Sequence, residues 1–187
     1  PPCQPFSIGG KHKGFNDGRD MWPSAIRSVR EARPEAFLFE NVRGLARESF
    51  ADYLAWIVAS LERVSISQEE SESHFDHLNR LRRSKAEKDY EVIVVRVNAA
   101  DFGAPQKRHR VIVAGVRADL GVGIVPPKPT HSRERLLWDQ WVSGDYWRGH
   151  GLARPNDTRI DRSDRSLVER LRSEGKRPEC LPWITVR

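Results

Sequence analysis

The sequence predicts an α/β fold, a β-sheet with helices packed on its faces. Three observations carry this. Two β-branched runs, "EVIVVRV" at 91–97 and "RVIVAGV" at 110–116, read as buried strands. A third apolar run, "AFLFENV" at 36–42, ends in polar residues, as buried strands do when they deliver side chains at their carboxyl ends. Between the first strand and the other two lies a helical repeat, so strands and helices alternate along the chain.

The elements follow in order. Residues 8–19, "IGGKHKGFNDGR", hold four glycines and four basic side chains, and read as a mobile loop. Trp22, Ile26 and Val29 recur at helical spacing, Pro23 suits a first helical turn and Pro34 forces a stop, which predicts a helix over about 22–32. Phe50, Leu54, Ile57, Leu61 and Val64 define an amphipathic helix over 49–64. Residues 65–76 are polar and acidic and read as a surface excursion. A largely charged helix over about 75–88 follows, with Phe75, Leu78 and Leu81 as its apolar positions. Between the last two strands, "NAADFGAPQKRH" reads as a loop, because Gly103 and Pro105 oppose regular structure. After about 126 the pattern weakens to an irregular Arg- and Trp-rich extension over 127–187, apart from a helix near 164–174.

Composition narrows the class. At 187 residues, 38% hydrophobic and 31% charged, the chain suits one globular domain. No apolar run approaches the roughly 20 residues that a membrane helix needs. Two cysteines, Cys3 and Cys180, make no disulfide framework, which points to a reducing compartment, the cytoplasm. The net charge of +6 suits a polyanionic partner. No cluster of His and Cys has metal-ligand spacing, and neither a G-x-S-x-G motif nor a P-loop occurs.

Three stretches hold candidate chemistry. Cys3 stands between Pro2 and Gln4 ahead of the glycine-rich loop, a placement that fixes its thiol at the end of an element. A thiol with the ordinary value of about 8.5 is only a few per cent thiolate at neutral pH, so catalysis needs a nearby cation or a substrate activated in step with attack. Glu40 closes "FLFE", at the strand end where α/β sheets hold ligands. Arg108 and Arg110 alternate in "QKRHR", so in an extended segment both point to one side.

Taken in order, "PPCQPFS", "FLFENVRGL" and "NAADFGAPQKRHRVIVAG" resemble the Pro-Cys, Glu-Asn-Val and Gln-x-Arg-x-Arg motifs of the cytosine-C5 DNA methyltransferases. The resemblance covers about 1–66 and 91–117, and more loosely "PWITVR" at 182–187. It implies part of a Rossmann-like class I methyltransferase sheet with flanking helices, truncated at both ends, with residues 1–126 as a partial catalytic domain. By the same resemblance Cys3 is the nucleophile that adds to cytosine C6, and Glu40 holds N3 and the exocyclic amine. Arg110 helps hold O2, while Arg108 supports the loop and the phosphate path. Pro2, Asn41 and Gln106 support the site. The implied partner is double-stranded DNA with the target cytosine flipped out, and the implied methyl donor is S-adenosylmethionine.

The resemblance also implies that the main cofactor pocket, the sequence-reading region and a C-terminal helix lie outside this chain, which predicts a fragment or one piece of a split enzyme with a complementary methyltransferase fragment as partner. A non-catalytic remnant or accessory subunit is the alternative, and the motifs leave an RNA cytosine substrate open.

Overall fold

The computed structural model describes residues 19–184. Among them the chain forms two compact units. One combines the residues up to Val97 with His109–Pro126; the other combines Asn98–Arg108 with the residues from Pro127 onward.

The first unit begins with helix α1, Trp22–Ala32, which has a proline in its first turn. The Asp20 carboxylate accepts from the Trp22 amide at 3.0 Å, satisfying a donor that the helix leaves open. Trp22, Ile26 and Val29 are its buried residues. The helix ends at Arg33, which takes the left-handed conformation usual for a glycine there, ahead of the stop at Pro34. The Arg33 guanidinium reaches Asp89 at 2.9 Å and Ser65 at 3.2 Å.

Strand β1 covers Ala36–Val42. After two short 3₁₀ turns comes helix α2, Ala51–Glu62, which buries Tyr53, Trp56, Ile57, Ser60 and Leu61. Helix α3, His74–Arg83, starts at Ser73, whose hydroxyl accepts from the Asp76 amide. Its buried residues are His77, Leu78 and Leu81. Leu78 and Leu81 are thus buried as the sequence suggests, whereas Phe75 is 59% exposed and His77 takes a buried place. Strands β2, Tyr90–Asn98, and β3, His109–Arg117, complete the unit.

The three strands form one sheet in the order β1-β3-β2, with β1 antiparallel to β3. Phe37 and Phe39 of β1, Val111 and Val113 of β3, and Tyr90 and Val92 of β2 belong to the same hydrophobic cluster as α1–α3. These strands are half-buried, which corrects the expectation of fully buried runs. In β1 exposure alternates strictly up to Glu40, and Leu38 is 67% exposed. In β2 only Tyr90 is buried.

The second unit has its own small core of Leu137, Trp141, Ile160, Val168 and Leu171, with Trp138, Val142, Trp147 and Leu167 packed against it. Its helices are α4, Arg133–Leu137, α5, Asp145–Gly149, and α6, Arg165–Glu174, with a π-helical turn at Trp138–Val142. The segment thus folds locally although its sequence shows little periodicity. Arg135 and Asp139, both nearly inaccessible, pair at 2.8 Å, and Arg177 reaches the other oxygen of Asp139 at 3.1 Å. Among the described residues no helix is long and apolar enough to cross a membrane.

Candidate active site

The site is built on the β1–β3 pair. Antiparallel register sets Glu40 opposite Ile112 and Val42 opposite Arg110, so Glu40 and Arg110 are diagonal neighbours on one face. Diagonal positions of this kind stand about 7–8 Å apart at the backbone, within reach of long side chains. Arg110 uses that reach: its Nε donates to Glu40 Oε1, while Nη1 donates to the His109 carbonyl at 2.8 Å. The Glu40 side chain is 51% exposed and that of Arg110 is 21% exposed. The carboxylate is therefore reachable, and the guanidinium is held from two sides.

Asn41, the next residue, turns to the opposite face by strand alternation and is buried, 1% exposed. Its side-chain oxygen accepts from the Val42 amide at 2.9 Å. One strand end thus presents a reachable carboxylate on one face and a locked amide on the other.

Arg108 is not part of β3, which begins at His109, so the alternation expected of Arg108 and Arg110 does not describe a single strand. It stands in the second unit, at the neck of the loop 98–108, with its side chain exposed, as is that of Gln106. Asn98, given no role from sequence, and Gly103, read there only as a loop residue, shape this loop. Asn98 accepts from the Arg108 amide at 3.0 Å and from the Ala100 amide at 3.4 Å, closing the neck. Gly103 ends the short 3₁₀ turn Ala99–Phe102 at φ +93°, a conformation that favours glycine. The signal was an Asn before "AADF" and a Gly after it, a start-and-stop pattern on a segment too short to read as a helix. Pro2, Cys3 and most of the glycine-rich loop lie outside the described residues.

A second polar cluster lies within the helices. The Tyr53 hydroxyl donates to the Asp20 carboxylate; burial pushes its phenol up, and the carboxylate adds to that. His77 Nδ1 accepts from Trp56 Nε1 at 3.1 Å, and Nε2 lies 3.1 Å from the Ile66 carbonyl. A carbonyl can only accept, so Nε2 carries the hydrogen and both ring nitrogens are satisfied in the neutral form. Burial lowers the pKa of both His74 and His77. At the surface, the hydrogen-bonded Arg80 holds the Glu72 carboxyl down to about 2. Among the described residues no group of His, Cys, Asp and Glu is arranged to hold a metal ion.

Glu40 and Arg110 thus stand side by side, a carboxylate and a guanidinium, at one end of the β1–β3 pair. Comparisons with known proteins identify the family of the chain. Residues 1–140 match the family model for the C-5 cytosine-specific DNA methylase, and the chain belongs to that family. It is 38% identical over 113 residues to the Type II methyltransferase M.AplI of Arthrospira platensis, covering 60% of this chain and 26% of that one. Over 132 residues it is 38% identical to the Type II methyltransferase M.AquIA of Picosynechococcus sp., with coverages of 70% and 46%. With M.NgoMIV of Neisseria gonorrhoeae the identity is 32% over 152 residues, covering 79% of this chain and 41% of the relative. The chain thus spans less than half the length of each of these relatives.

Proposed function

We propose that this chain is the central catalytic segment of a DNA cytosine-C5 methyltransferase, acting on a cytosine flipped out of double-stranded DNA in the cytoplasm of a prokaryote. The observation that carries this reading is the Glu40–Arg110 pair. Membership of the family gives cytosine as the base, and the pair offers what its edge needs. A carboxyl group at Glu40 meets N3 and the exocyclic amine, and the Arg110 guanidinium donates to O2.

Cytosine C5 is too weak a nucleophile to take a methyl group directly. In this proposal the Cys3 thiolate forms a bond to C6, and the ring electrons move onto N3 as Glu40 delivers a proton there. The ring becomes an enamine, nucleophilic at C5. Once C5 is methylated, its proton leaves to a base, the C6–S bond breaks and Cys3 regains its thiolate. Glu40 acts as general acid in the first half and takes the proton back in the second. Asn41 braces the Pro2–Cys3 segment, while Gln106 and Arg108 hold the loop against the phosphate path.

S-adenosylmethionine is the methyl donor that this reading requires; its sulfonium would give up the methyl group to C5 and leave as the neutral thioether S-adenosylhomocysteine. Three cavities of the first unit are formed largely by helix and loop residues, and Glu40, Asn41 and Arg110 line none of them. The Glu40–Arg110 pair is assigned to the base and not to the cofactor. We place the cofactor's principal contacts in the part of the family's length that this chain does not match, supplied in the same polypeptide or by a complementary methyltransferase fragment.

The test is methyl transfer to duplex DNA by a restored catalytic domain, this chain joined to the flanking sequence of its own gene. Cys3→Ser should abolish transfer, and Cys180→Ser should leave it intact. Transfer that survives Cys3→Ser would remove the proposed mechanism.

A further inference from the structure

The loop 98–108 carries Gln106 and Arg108, and its tip is held from one direction. The Thr130 and His131 amides both donate to the Asp101 carbonyl, at 2.9 and 3.0 Å. The His131 ring then lies flush against Gly103. A Cβ built on Gly103 would stand 2.8 Å from His131 Cε1 and 3.3 Å from each ring nitrogen, so glycine is needed for this approach as well as for its backbone angle. The ring is set in place by Thr130 Oγ1, 2.9 Å from His131 Nδ1.

Behind the histidine stands the C-terminal segment. The Trp183 ring meets the His131 ring edge-on, with centroids 5.3 Å apart. Trp183 Nε1 donates to the Ser132 carbonyl at 3.1 Å, and the Leu181 amide donates to the Thr130 carbonyl at 2.8 Å. Arg135 continues the fastening, donating to the Pro178 carbonyl at 3.2 Å and to the Cys180 carbonyl. Trp183 belongs to "PWITVR", whose residues take no part in the chemistry proposed above.

We infer that His131 is a positioning residue for the loop carrying Gln106 and Arg108, with Trp183 as the strut that keeps its ring against Gly103. The neck of the loop is closed by Asn98 and its tip by His131, so the segment between them has both ends fixed while its polar side chains remain exposed. The structural part of this inference stands alone; its bearing on DNA rests on the methyltransferase reading.

The test uses the chain as it stands. Amide hydrogen exchange is followed at Gly103 and Ala104, which bond to the Ala100 and Ala99 carbonyls, and at Val168 and Arg117 as controls outside the loop. His131→Ala should speed exchange at Gly103 and Ala104 by roughly tenfold or more, with the controls unchanged, as local opening does. His131→Phe, which restores a ring over Gly103, should recover most of the protection; Trp183→Ala should reproduce part of the loss. Equal exchange in wild type and His131→Ala, or loosening spread evenly to Val168, would overturn the inference. In the restored enzyme His131→Ala should raise KM for DNA more than it lowers kcat, and the reverse would count against positioning. If the wild-type restored enzyme transfers no methyl group, the functional reading fails while the exchange result still decides the role of His131.

Discussion

Glu40 and Arg110 are joined across two antiparallel strands, a separation of 70 residues in sequence closed by one diagonal step in register. Such an exposed pair contributes only about 0–1 kcal/mol to stability, because solvent screens it and two long side chains must be ordered. Its chemical value under the proposal is far larger, so the two contributions separate experimentally. Glu40→Gln should leave the melting of this chain nearly unchanged. In the restored enzyme the same substitution should slow the chemical step by about 10²–10⁴-fold, the range of a lost general acid. Arg110→Lys keeps the charge but loses the planar fork, and should weaken handling of the base. Single-turnover rates at saturating DNA, beside thermal melts, check both halves.

A second cross-strand pair governs the sheet itself. Phe37 lies directly opposite Gly115, and a Cβ on Gly115 would stand 2.2 Å from Phe37 Cζ. The ring occupies the space of the missing side chain, stacks on Phe39 and meets Tyr90. Gly115→Ala should therefore destabilise the first unit by about 1–3 kcal/mol, the usual cost of overpacking. Adding Phe37→Leu should recover part of it, giving a coupling that urea denaturation of the four variants measures.

Much of this fold was legible because it rests on local patterns. The helix expected over 22–32 and the strand over 36–42 are α1 and β1 with the same bounds, since proline stops and apolar spacing are written along the chain. The helix expected over 75–88 ends at Arg83, because Ser84 breaks a segment whose last residues offer no buried face. Strand direction was not legible: nothing within "RVIVAGV" says that it runs antiparallel to "AFLFENV". That pairing decides the site, because it brings Arg110, and not Arg108, to Glu40. The core of the second unit was missed for a related reason. Trp138, Trp141 and Trp147 serve a π-turn and a five-residue helix, which are too short to show a period.

His77 gives the stability a pH dependence. Its folded pKa, like that of His74, lies below the ordinary 6.5, with burial the largest cause. Glu72 and the neighbouring Arg80 and His74 pull His77 in opposite directions. Between the folded and unfolded values the denatured chain binds more protons, so stability falls as pH drops below about 6.5 and levels off beneath the folded value. Protonation would also point a second N–H at Trp56 Nε1, which donates to that nitrogen. The melting temperature should be lower at pH 5.5 than at pH 7.5, and His77→Gln should shrink the difference. A wild-type protein melting equally at both values would contradict this.

Asp139 neutralises two arginines in the second unit. Asp139→Ala would leave Arg135, 8% exposed, charged without its carboxylate. Breaking a buried pair from one side costs about 3–5 kcal/mol. The loss should show first in the tryptophan signal of near-ultraviolet circular dichroism, since Trp141 lies in the small core on the same helical turn. An unchanged near-ultraviolet spectrum and urea midpoint would contradict this cost and show that solvent and the Pro178 and Cys180 carbonyls suffice for Arg135.

The central claim is covalent catalysis by Cys3, and the most direct measurement is the mass of the peptide trapped on DNA carrying 5-fluorocytosine at the target position. Fluorine at C5 cannot leave as a proton does, so an enzyme that has attacked C6 and transferred the methyl group stays bound. With the restored catalytic domain, one adduct is expected, on the peptide containing Cys3, lost in Cys3→Ser and retained in Cys180→Ser. An adduct on Cys180, or methylated product with no adduct at all, would contradict it.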